Sequence, residues 1–175
     1  MLGVVLAGGQ STRYGSDKSM ARFDGQSLLD RAIERLGAWC DHVVVAGHDH
    51  AEAPVLTDWP KARMGPLAGI AAALHYADHR GGSLVLSCGV DSIDLPDDLP
   101  RLLSPAPAYL ESQPVIGLWP VTAAATLERI LTHGTRHSVK AFAEAIAARP
   151  VRTERDPANI NTPDDLAELE KRHGL

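Results

Sequence analysis

The order of apolar and polar positions along this chain predicts buried strands that alternate with amphipathic helices. Continuous apolar runs at residues 4–6, 42–46 and 83–87 are typical of strands that are covered on both faces, and residues 54–57 predict a shorter strand. Between the first two runs, apolar side chains recur at helical spacing, at Leu28, Leu29, Ala32, Ile33 and Leu36. A strand, a helix and a strand in this order predict a right-handed crossover and therefore parallel pairing.

The second half of the chain contains more helical patterns, with weaker strand signals between them. A helix is predicted from about residue 65 to 77, where Pro66 suits the first turn. Near the C-terminus, Thr162 is expected as an N-cap, with Pro163 in the first helical position and Asp165 at the capping-box position. The remaining predicted elements are helices at 96–103, 121–131 and 138–148, and strands at 108–111, 114–118 and 151–153.

These elements predict one α/β domain over residues 1–175, built on a doubly wound and mostly parallel sheet. Sheets of this kind bind ligands in the crevice at the carboxyl ends of their strands. The loops after the first, third and fourth predicted strands carry Gly8, Gly9, Asp58 and Asp91. We therefore expect these residues to lie along one edge of the sheet.

Composition and charge narrow the class of protein. The chain has 45% hydrophobic and 22% charged residues and a net charge of −5, which argues against a broad nucleic-acid or anionic-membrane surface. It has no apolar run near the ~20 residues that a membrane helix needs, and its N-terminus enters a core strand too early for a signal peptide. Cys40 and Cys88 are expected to be buried and reduced, so a cytoplasmic location is predicted.

The first loop carries the clearest chemistry in the chain. Residues 3–18 read GVVLAGGQSTRYGSDK, so a buried strand ends in two consecutive glycines and is followed by Arg13 and Lys18. Glycines let backbone N–H groups approach an anion closely, and the two cations add fixed positive charge. The spacing is neither that of a dinucleotide fingerprint nor that of a P-loop. The loop is interpreted as a polyphosphate cradle, with a solvated turn as the alternative.

A polyphosphate ligand implies a hard cation, usually Mg²⁺, which binds one or two carboxylates together with phosphate oxygens. Asp91 follows a buried strand and is the preferred metal ligand. Asp94, Asp97 and Asp98 compete for this role. Asp94 is better explained as a turn residue, and the other two by the start of a helix, where the helix dipole favours negative charge.

Residues 6–18, LAGGQSTRYGSDK, resemble the opening motif of the molybdenum cofactor guanylyltransferases, L-A-G-G-x-S-x-R-M-G-x-D-K, with Tyr14 in place of the methionine. Further segments are similar to motifs of the same family and follow in the same order: GPLAGI at 65–70, PVIGLWP at 114–120 and NINTPDDL at 159–166. The resemblance implies a Rossmann-like nucleotidyltransferase that transfers GMP from GTP to the phosphate of molybdopterin, with Mg²⁺ as cofactor and release of pyrophosphate. It also implies transient contact with proteins of cofactor biosynthesis or with molybdoenzymes.

The resemblance further implies roles for individual residues. Since the acceptor phosphate is already a nucleophile, no general base is required, and positioning and charge stabilisation carry the reaction. Arg13, Lys18 and Asp91 are expected to be catalytic, with Asp91 as the Mg²⁺ ligand. The expected substrate contacts are Leu6, Ala7, Gly8, Gly9, Lys18, Asp58, Gly65, Asp91, Arg136 and Asn161. Arg136 and Asn161 are assigned to the acceptor side on a different ground, because they lie in C-terminal segments far in sequence from the nucleotide loop. Asn161 has the alternative role of capping the last helix.

One departure from the family pattern concerns the metal ligand. The family has an uninterrupted C-D-x-P, whereas this chain reads Cys88-Gly89-Val90-Asp91, with two extra residues before the aspartate and Ile93 in place of the proline. We expect Gly89 to adopt a positive φ in a bulge that returns Asp91 to the site. Two alternatives stay open: a related nucleotidyltransferase with another base or acceptor, and a non-catalytic member that binds nucleotide or cofactor.

Overall fold

The computed structural model describes residues 1–8, 18–48, 51–61, 64–134 and 137–175. Its strands are β1 (Leu2–Leu6), β2 (Arg22–Phe23), β3 (Gln26–Ser27), β4 (His42–Ala46), β5 (Val55–Leu56), β6 (Leu84–Gly89), β7 (Ser92–Ile93), β8 (Ala108–Leu110), β9 (Gly117–Pro120), β10 (Arg149–Val151) and β11 (Ala158–Asn159). Its helices are α1 (Leu28–Gly37), α2 (Pro66–His79), α3 (Leu99–Leu102), α4 (Ala124–His133), α5 (Val139–Ala145) and α6 (Pro163–His173), with 3-10 turns at Lys18–Met20 and Val121–Ala123. Within these ranges no helix has both the length and the apolar character that crossing a membrane requires.

Seven strands of the described part of the chain form the central sheet, in the order β10-β8-β9-β6-β1-β4-β5. β1 pairs in parallel with β4 on one side and with β6 on the other, and β5 extends the sheet in parallel beyond β4. β9 runs antiparallel to both β6 and β8. The predicted doubly wound, mostly parallel α/β fold is confirmed, and β9 is the strand that reverses direction.

Both faces of the inner strands are buried, which explains why their sequences are continuously apolar. Val5 and Val45 belong to a core on the side of α1, whereas Val4 and Val44 belong to a second core on the side of α2. This division follows from the pleat, because successive side chains of a strand point to opposite faces. The helices complete the two cores with Leu28, Leu29 and Leu36 from α1 and with Leu67, Ile70 and Leu74 from α2.

Both cysteines are free and lie buried in the core on the side of α1, as the sequence predicted for their burial. Burial raises the pKa of the Cys40 thiol to about 11 and that of the Cys88 thiol to about 12. A thiol reacts as its thiolate, so both cysteines are unreactive near neutral pH while the protein is folded.

The bounds of several elements differ from the predicted ones for identifiable local reasons. The helix predicted at 96–103 is the single turn α3, because Pro100 is tolerated only in the first turn of a helix. The strand predicted at 114–118 begins later, at Gly117, because Ile116 donates its N–H to the Gln113 carbonyl at 2.9 Å and closes a turn. The last predicted strand, at 151–153, lies two residues earlier as β10.

β6 ends two residues later than predicted, at Gly89, and this extension accounts for the additional residues before Asp91. Its register with β1 is unbroken from the Leu2–Val85 pair to the Leu6–Gly89 pair. The Val90 N–H extends this ladder by donating to the Leu6 carbonyl at 3.1 Å. The prediction of a bulge with positive φ at Gly89 is therefore wrong, since the additional residues lengthen a regular strand and the chain turns only after it.

A short antiparallel ladder that the sequence did not predict brings the C-terminal segment to the end of β6. β11 pairs with β7 through Ala158 opposite Ile93 and Asn159 opposite Ser92. The next residue, Ile160, donates its N–H to the carbonyl of Asp91 at 3.1 Å. The start of α6 therefore lies beside the turn that carries Asp91.

Candidate active site

Side chains from three distant segments meet at the carboxyl edge of the central sheet. The ammonium Nζ of Lys18 donates to Asp91 Oδ2 at 2.8 Å and to Asn161 Oδ1 at 3.4 Å. The side chains of Lys18 and Asp91 are 11% and 27% exposed, so their ion pair is partly shielded from water. This Lys18–Asp91–Asn161 cluster joins residues that the sequence assigned to the nucleotide, the metal and the acceptor.

The position of Lys18 is set by the structure that follows it. Lys18 begins a 3-10 turn that leads into the β2–β3 hairpin, whose tip is Asp24-Gly25 with φ values of 51° and 75°. An Asp-Gly pair with two positive φ values is the preferred tip of a tight hairpin. The hairpin ends at Ser27, which is the N-cap of α1. The end of the glycine loop is therefore connected through this hairpin to α1, whose apolar face is buried.

Asn161 lies between β11 and α6, where helix-capping groups hold its backbone. Thr162 is the N-cap, as predicted, and its hydroxyl accepts the N–H of Asp165 at 3.2 Å. The Asp165 carboxylate accepts the N–H groups of Asn161 and Thr162, each at 2.8 Å, and these bonds lower the pKa of Asp165. The capping role suggested for Asn161 is therefore wrong, and its side-chain oxygen faces Lys18 instead.

The carboxylate of Asp91 lies back against the end of β6. A Cβ added to Gly89 would lie 2.5 Å from Asp91 Oδ1 and 3.2 Å from Ser92 Oγ, so a side chain at this position would collide with the carboxylate. Gly89 thus matters because it lacks a side chain, whereas the sequence had suggested its backbone freedom. The carboxylate of Asp91 therefore occupies space that a side chain at the last residue of β6 would otherwise fill.

The other carboxylates considered as metal ligands contact different partners. Asp94 pairs with His173 at 3.1 Å, at the C-terminal end of α6. Asp97 binds Arg35 of α1 at 2.5 Å, and Asp98 pairs with an arginine of its own short helix. Of these four aspartates, Asp91 is the one that contacts Lys18, which supports the preference for it.

The glycine loop begins in close backbone contact with the loop after β4. The Ala7 N–H donates to the Ala46 carbonyl at 2.9 Å, which prolongs the β1–β4 ladder by one residue. A Cβ added to Gly47 would lie 2.4 Å from the Cα of Gly8, and Gly47 has a φ of 84°. Gly47 therefore helps to place Gly8, a role that the sequence analysis missed although a glycine directly after a buried strand is the signal for it.

Asp58 and Gly65 lie on the opposite side of β1 from Asp91. Asp58 follows β5, and its Oδ1 would lie 3.8 Å from a Cβ added to Gly69 in the first turn of α2. The same added Cβ would lie 2.7 Å from Cδ2 of Leu6, so Gly69 lets α2 pack closely on the end of β1. Gly65 starts α2 with a φ of 76°, a conformation that favours glycine.

Gly9, Arg13 and Arg136, which the sequence also assigns to the site, lie outside the described residues. Leu6, Ala7 and Gly8 run along the edge beside the cluster, with the Leu6 side chain buried and Gly8 exposed. The predicted gathering of Gly8, Asp58 and Asp91 at one edge therefore agrees with the strand order, since β5 and β6 flank the β1–β4 pair.

The PVIGLWP segment is a packing motif in this structure. The indole N–H of Trp119 donates to Ser87 Oγ at 2.8 Å, and that hydroxyl donates to the Val115 carbonyl at 2.6 Å. Trp119 and Ser87 have no exposed surface. A Cβ added to Gly117 would lie 2.2 Å from Cζ2 of Trp119, so the glycine provides the space into which the indole folds.

Comparison with known proteins identifies the family. The family described as the MobA-like NTP transferase domain matches residues 3–151. A protein of Rhizobium johnstonii named molybdenum cofactor guanylyltransferase is 39% identical over 97% of this chain and 91% of its own length. A protein of the same name from Rhodobacter capsulatus is 34% identical over 97% of this chain and 95% of its own length.

Among solved structures, molybdopterin-guanine dinucleotide biosynthesis protein A from Archaeoglobus fulgidus superposes with a TM-score of 0.79 at 23% identity, over 99% of both chains. This similarity supports the fold, since its sequence identity is low. The resemblance inferred from the sequence motifs is confirmed by the sequence relatives. The chain belongs to the MobA-like NTP transferase family, in which these two relatives carry the name molybdenum cofactor guanylyltransferase.

Proposed function

We propose that this protein transfers GMP from GTP to the phosphate of molybdopterin and releases pyrophosphate. The observation that carries the proposal is the Lys18–Asp91–Asn161 cluster, in which an ammonium lies 2.8 Å from a carboxylate at the carboxyl edge of the sheet. Folds of this class bind their ligands at that edge. Relatives that cover nearly the whole chain are named for this activity, which supports the choice of nucleotide and acceptor.

In this reaction an oxygen of the acceptor phosphate attacks the α-phosphorus of GTP. The new phosphorus–oxygen bond forms as the bond to the β-phosphate breaks, and pyrophosphate leaves with the bonding electrons. The acceptor is an anion at neutral pH, so the protein need not remove a proton. The task of the protein is to align two anions and to compensate the negative charge that builds up on the leaving group.

Lys18 is proposed to compensate that charge. Its ammonium is largely buried and is oriented by Asp91 and Asn161, so little reorganisation is needed during the reaction. An ammonium has three N–H donors and can therefore keep both contacts while it donates to a phosphate oxygen. Arg13 is proposed to bind phosphate oxygens together with the backbone of Leu6, Ala7, Gly8 and Gly9.

Mg²⁺ is proposed as the cofactor, with Asp91 as its protein ligand. No group of three or more His, Cys, Asp or Glu side chains in the described ranges is arranged to hold a metal by itself. The carboxylate of Asp91 and the amide oxygen of Asn161 are hard oxygen donors, which suits a Mg²⁺ ion that also binds phosphates and water. When bound, the ion would neutralise part of the charge on the phosphates of GTP.

The remaining site residues are assigned by their place along the edge. Asp58 is proposed to accept hydrogen bonds from the ribose or the base, and Gly65 to allow close approach of the nucleotide at the start of α2. Arg136 and Asn161 are proposed for the acceptor. The reaction is placed in the cytoplasm, where cofactor-biosynthesis proteins or molybdoenzymes would receive the product.

Nucleotide-dependent thermal stability and pyrophosphate release test this proposal together. At a ligand concentration a hundred times Kd, binding to the folded state alone raises the free energy of unfolding by ~2.7 kcal/mol. We expect GTP with Mg²⁺ to raise the melting temperature more than CTP, ATP or UTP, and GTP with molybdopterin to release pyrophosphate. Equal shifts from all four nucleotides would refute guanine selection. Binding of GTP without pyrophosphate release would favour a non-catalytic family member.

A further inference from the structure

Gln113 forms hydrogen bonds to two segments that are far from it in sequence. Its side-chain oxygen Oε1 accepts the hydroxyl of Ser92 at 2.9 Å, and its Nε2 donates to the carbonyl of Pro157 at 2.6 Å. Gln113 lies in the connection between β8 and β9, so the central sheet anchors it. An amide is suited to this position, because it accepts from one neighbour and donates to another.

The two partners of Gln113 flank the candidate active site. Ser92 directly follows Asp91 and is only 6% exposed. Pro157 directly precedes β11, which leads through Ile160 to Asn161. Gln113 therefore bridges the segment that carries the proposed metal ligand and the segment that carries the proposed acceptor contact.

Other contacts in the described part of the chain also join the two segments: a short ladder, the Lys18 ammonium, which contacts both Asp91 and Asn161, and the packing of Ile93 and Ile160 in the core on the side of α1. The β7–β11 ladder has only two residue pairs, and the bond from the Ile160 N–H to the Asp91 carbonyl adds one more connection. Short ladders of this size are marginally stable on their own. The distance between Asp91 and Asn161 thus depends on contacts outside the ladder, and the Gln113 side chain supplies two of them.

We propose that Gln113 is a positioning residue, which sets the separation between the metal side and the acceptor side of the reaction. This inference rests on the proposed guanylyl transfer. Because the reaction joins two bound substrates, an error of about 1 Å in their alignment can lower the rate about a hundredfold. Gln113 has no assigned contact with GTP, so its loss acts on turnover and on acceptor binding more than on nucleotide binding.

The test replaces Gln113 with methionine, which keeps the length of the side chain and removes both hydrogen bonds. Glu111→Gln is the matched control, since Glu111 lies in the same connection and its exposed ion pair with Arg152 contributes little. We expect kcat of Gln113→Met to fall about tenfold to a hundredfold, with less than about a threefold change in Kd for GTP. The control should retain wild-type kcat.

A double-mutant cycle with Asn161→Ala separates positioning from general destabilisation. If Gln113 acts through the relative placement of Asn161, its substitution should cost much less in the Asn161→Ala background than in the wild type. Equal costs in both backgrounds would overturn the proposal. So would wild-type kcat in Gln113→Met after correction for the folded fraction.

Amide hydrogen exchange at Ile160 gives a readout that does not need the activity. The Ile160 N–H is bonded to the Asp91 carbonyl, so its exchange should accelerate at least about tenfold in Gln113→Met and stay unchanged in Glu111→Gln. Unchanged exchange in Gln113→Met refutes the bridge.

If wild-type protein releases no pyrophosphate, the proposed function fails, and the exchange measurement still decides whether Gln113 joins the two segments. If Gln113→Met does not fold, Gln113→Glu, which retains an acceptor for Ser92 and loses the donor to Pro157, takes its place with the same expected direction.

Discussion

The Lys18–Asp91–Asn161 cluster and the Ser87–Gly117–Trp119 core each contain residues of the family motifs, yet the contacts in the two groups are of different kinds. In the cluster, charged groups are partly exposed and come from segments that meet only in the folded chain. In the core, neutral groups without exposed surface satisfy one another across neighbouring strands. A motif that is specific in sequence can therefore report packing as readily as chemistry, and the folded contacts distinguish the two.

Two of the motifs contain residues with different roles. In the segment at 65–70, Gly65 provides a positive φ at the start of α2, whereas Gly69 provides contact with the end of β1. In the segment at 159–166, Asn161 faces Lys18, whereas Thr162 and Asp165 form the helix cap. The motif at 159–166 thus combines a position in the cluster with positions that cap a helix, whereas both glycines of the motif at 65–70 have backbone and packing roles in this structure.

The largest effect is expected for a substitution of Asp91, which should change turnover without changing stability. Asp91→Asn should lower turnover about a thousandfold or more, because it removes the carboxylate proposed to bind Mg²⁺ and leaves the fold in place. Steady-state pyrophosphate release and the thermal midpoint, measured on the same preparation, test both parts. Asp94→Asn is the matched control, since Asp94 pairs with His173 and lies outside the cluster. An inactive Asp94→Asn together with an active Asp91→Asn would contradict the metal assignment.

The opposite result is expected in the core at Gly117. Gly117→Ala places a methyl group 2.2 Å from Cζ2 of a buried indole, which cannot shift without straining its bond to Ser87. We expect a loss of about 2–4 kcal/mol in the free energy of unfolding, or roughly 5–15 °C in the thermal midpoint, with unchanged turnover per folded molecule. Gly37→Ala, at the end of α1 with no atom within 4 Å of the added Cβ, should be neutral or stabilising. A Gly117→Ala protein as stable as wild type would show that the core tolerates the added methyl group.

Lys18 gives the next smaller effect and tests how charge acts in the cluster. Lys18→Ala should lower kcat on the order of 10²-fold while the Kd for GTP changes much less, if the ammonium acts on charge that develops during the reaction. Single-turnover kinetics and equilibrium GTP binding separate these quantities. Lys140→Ala, on the exposed side of α5, controls for loss of one positive charge. An equal loss in affinity with unchanged kcat would indicate simple ground-state binding.

The main features of the fold follow from patterns within single segments. Val4–Leu6 and the helical repeat from Leu28 to Leu36 are predicted well, because each is buried on a surface that its own spacing defines. The β7–β11 ladder was missed because two-residue strands have no readable period. The start of β9 was misplaced because the turn at 113–116, closed by the Ile116 N–H to Gln113 carbonyl bond, contains the apolar Val115 and Ile116, which also suit a strand.

The candidate site was harder to predict than the fold, because it depends more on contacts between distant segments. Lys18 and Asp91 could be proposed from the sequence, because each lies near the carboxyl end of a strand whose position the fold class predicts. Gly89 was assigned for the wrong reason, since the collision that a side chain at this position would make with Asp91 Oδ1 is visible only in the folded structure. Gln113 was not considered at all, because its hydrogen bonds join segments that share no local pattern.

The smallest expected effect concerns Asp165, whose side chain contributes both to the helix cap and to the position of a cluster residue. Its carboxylate accepts the N–H of Thr162, which starts α6, and the N–H of Asn161, which belongs to the cluster. Those backbone hydrogen bonds hold the pKa of the Asp165 carboxyl below its usual range. A carboxylate whose pKa is lowered by folding stabilises the protein above its unfolded pKa, and this contribution is lost as pH falls through the folded value.

Asp165→Asn keeps the shape and one acceptor oxygen, which is enough for the two backbone hydrogen bonds. It removes the negative charge and replaces the second oxygen with an NH2 donor. We expect a lower thermal midpoint than wild type, by a constant small amount from pH 5 to 7, and a difference that shrinks once the pH falls below roughly 4. Asp164→Asn, also in the first turn of α6, controls for the general effect of negative charge near the helix N-terminus. Because Asp165 also holds the backbone of Asn161, the acceptor KM of Asp165→Asn should rise modestly while that of Asp164→Asn stays near wild type. A difference in midpoint that persists unchanged below pH 3 would show that the stabilisation comes from packing of the side chain and not from its charge.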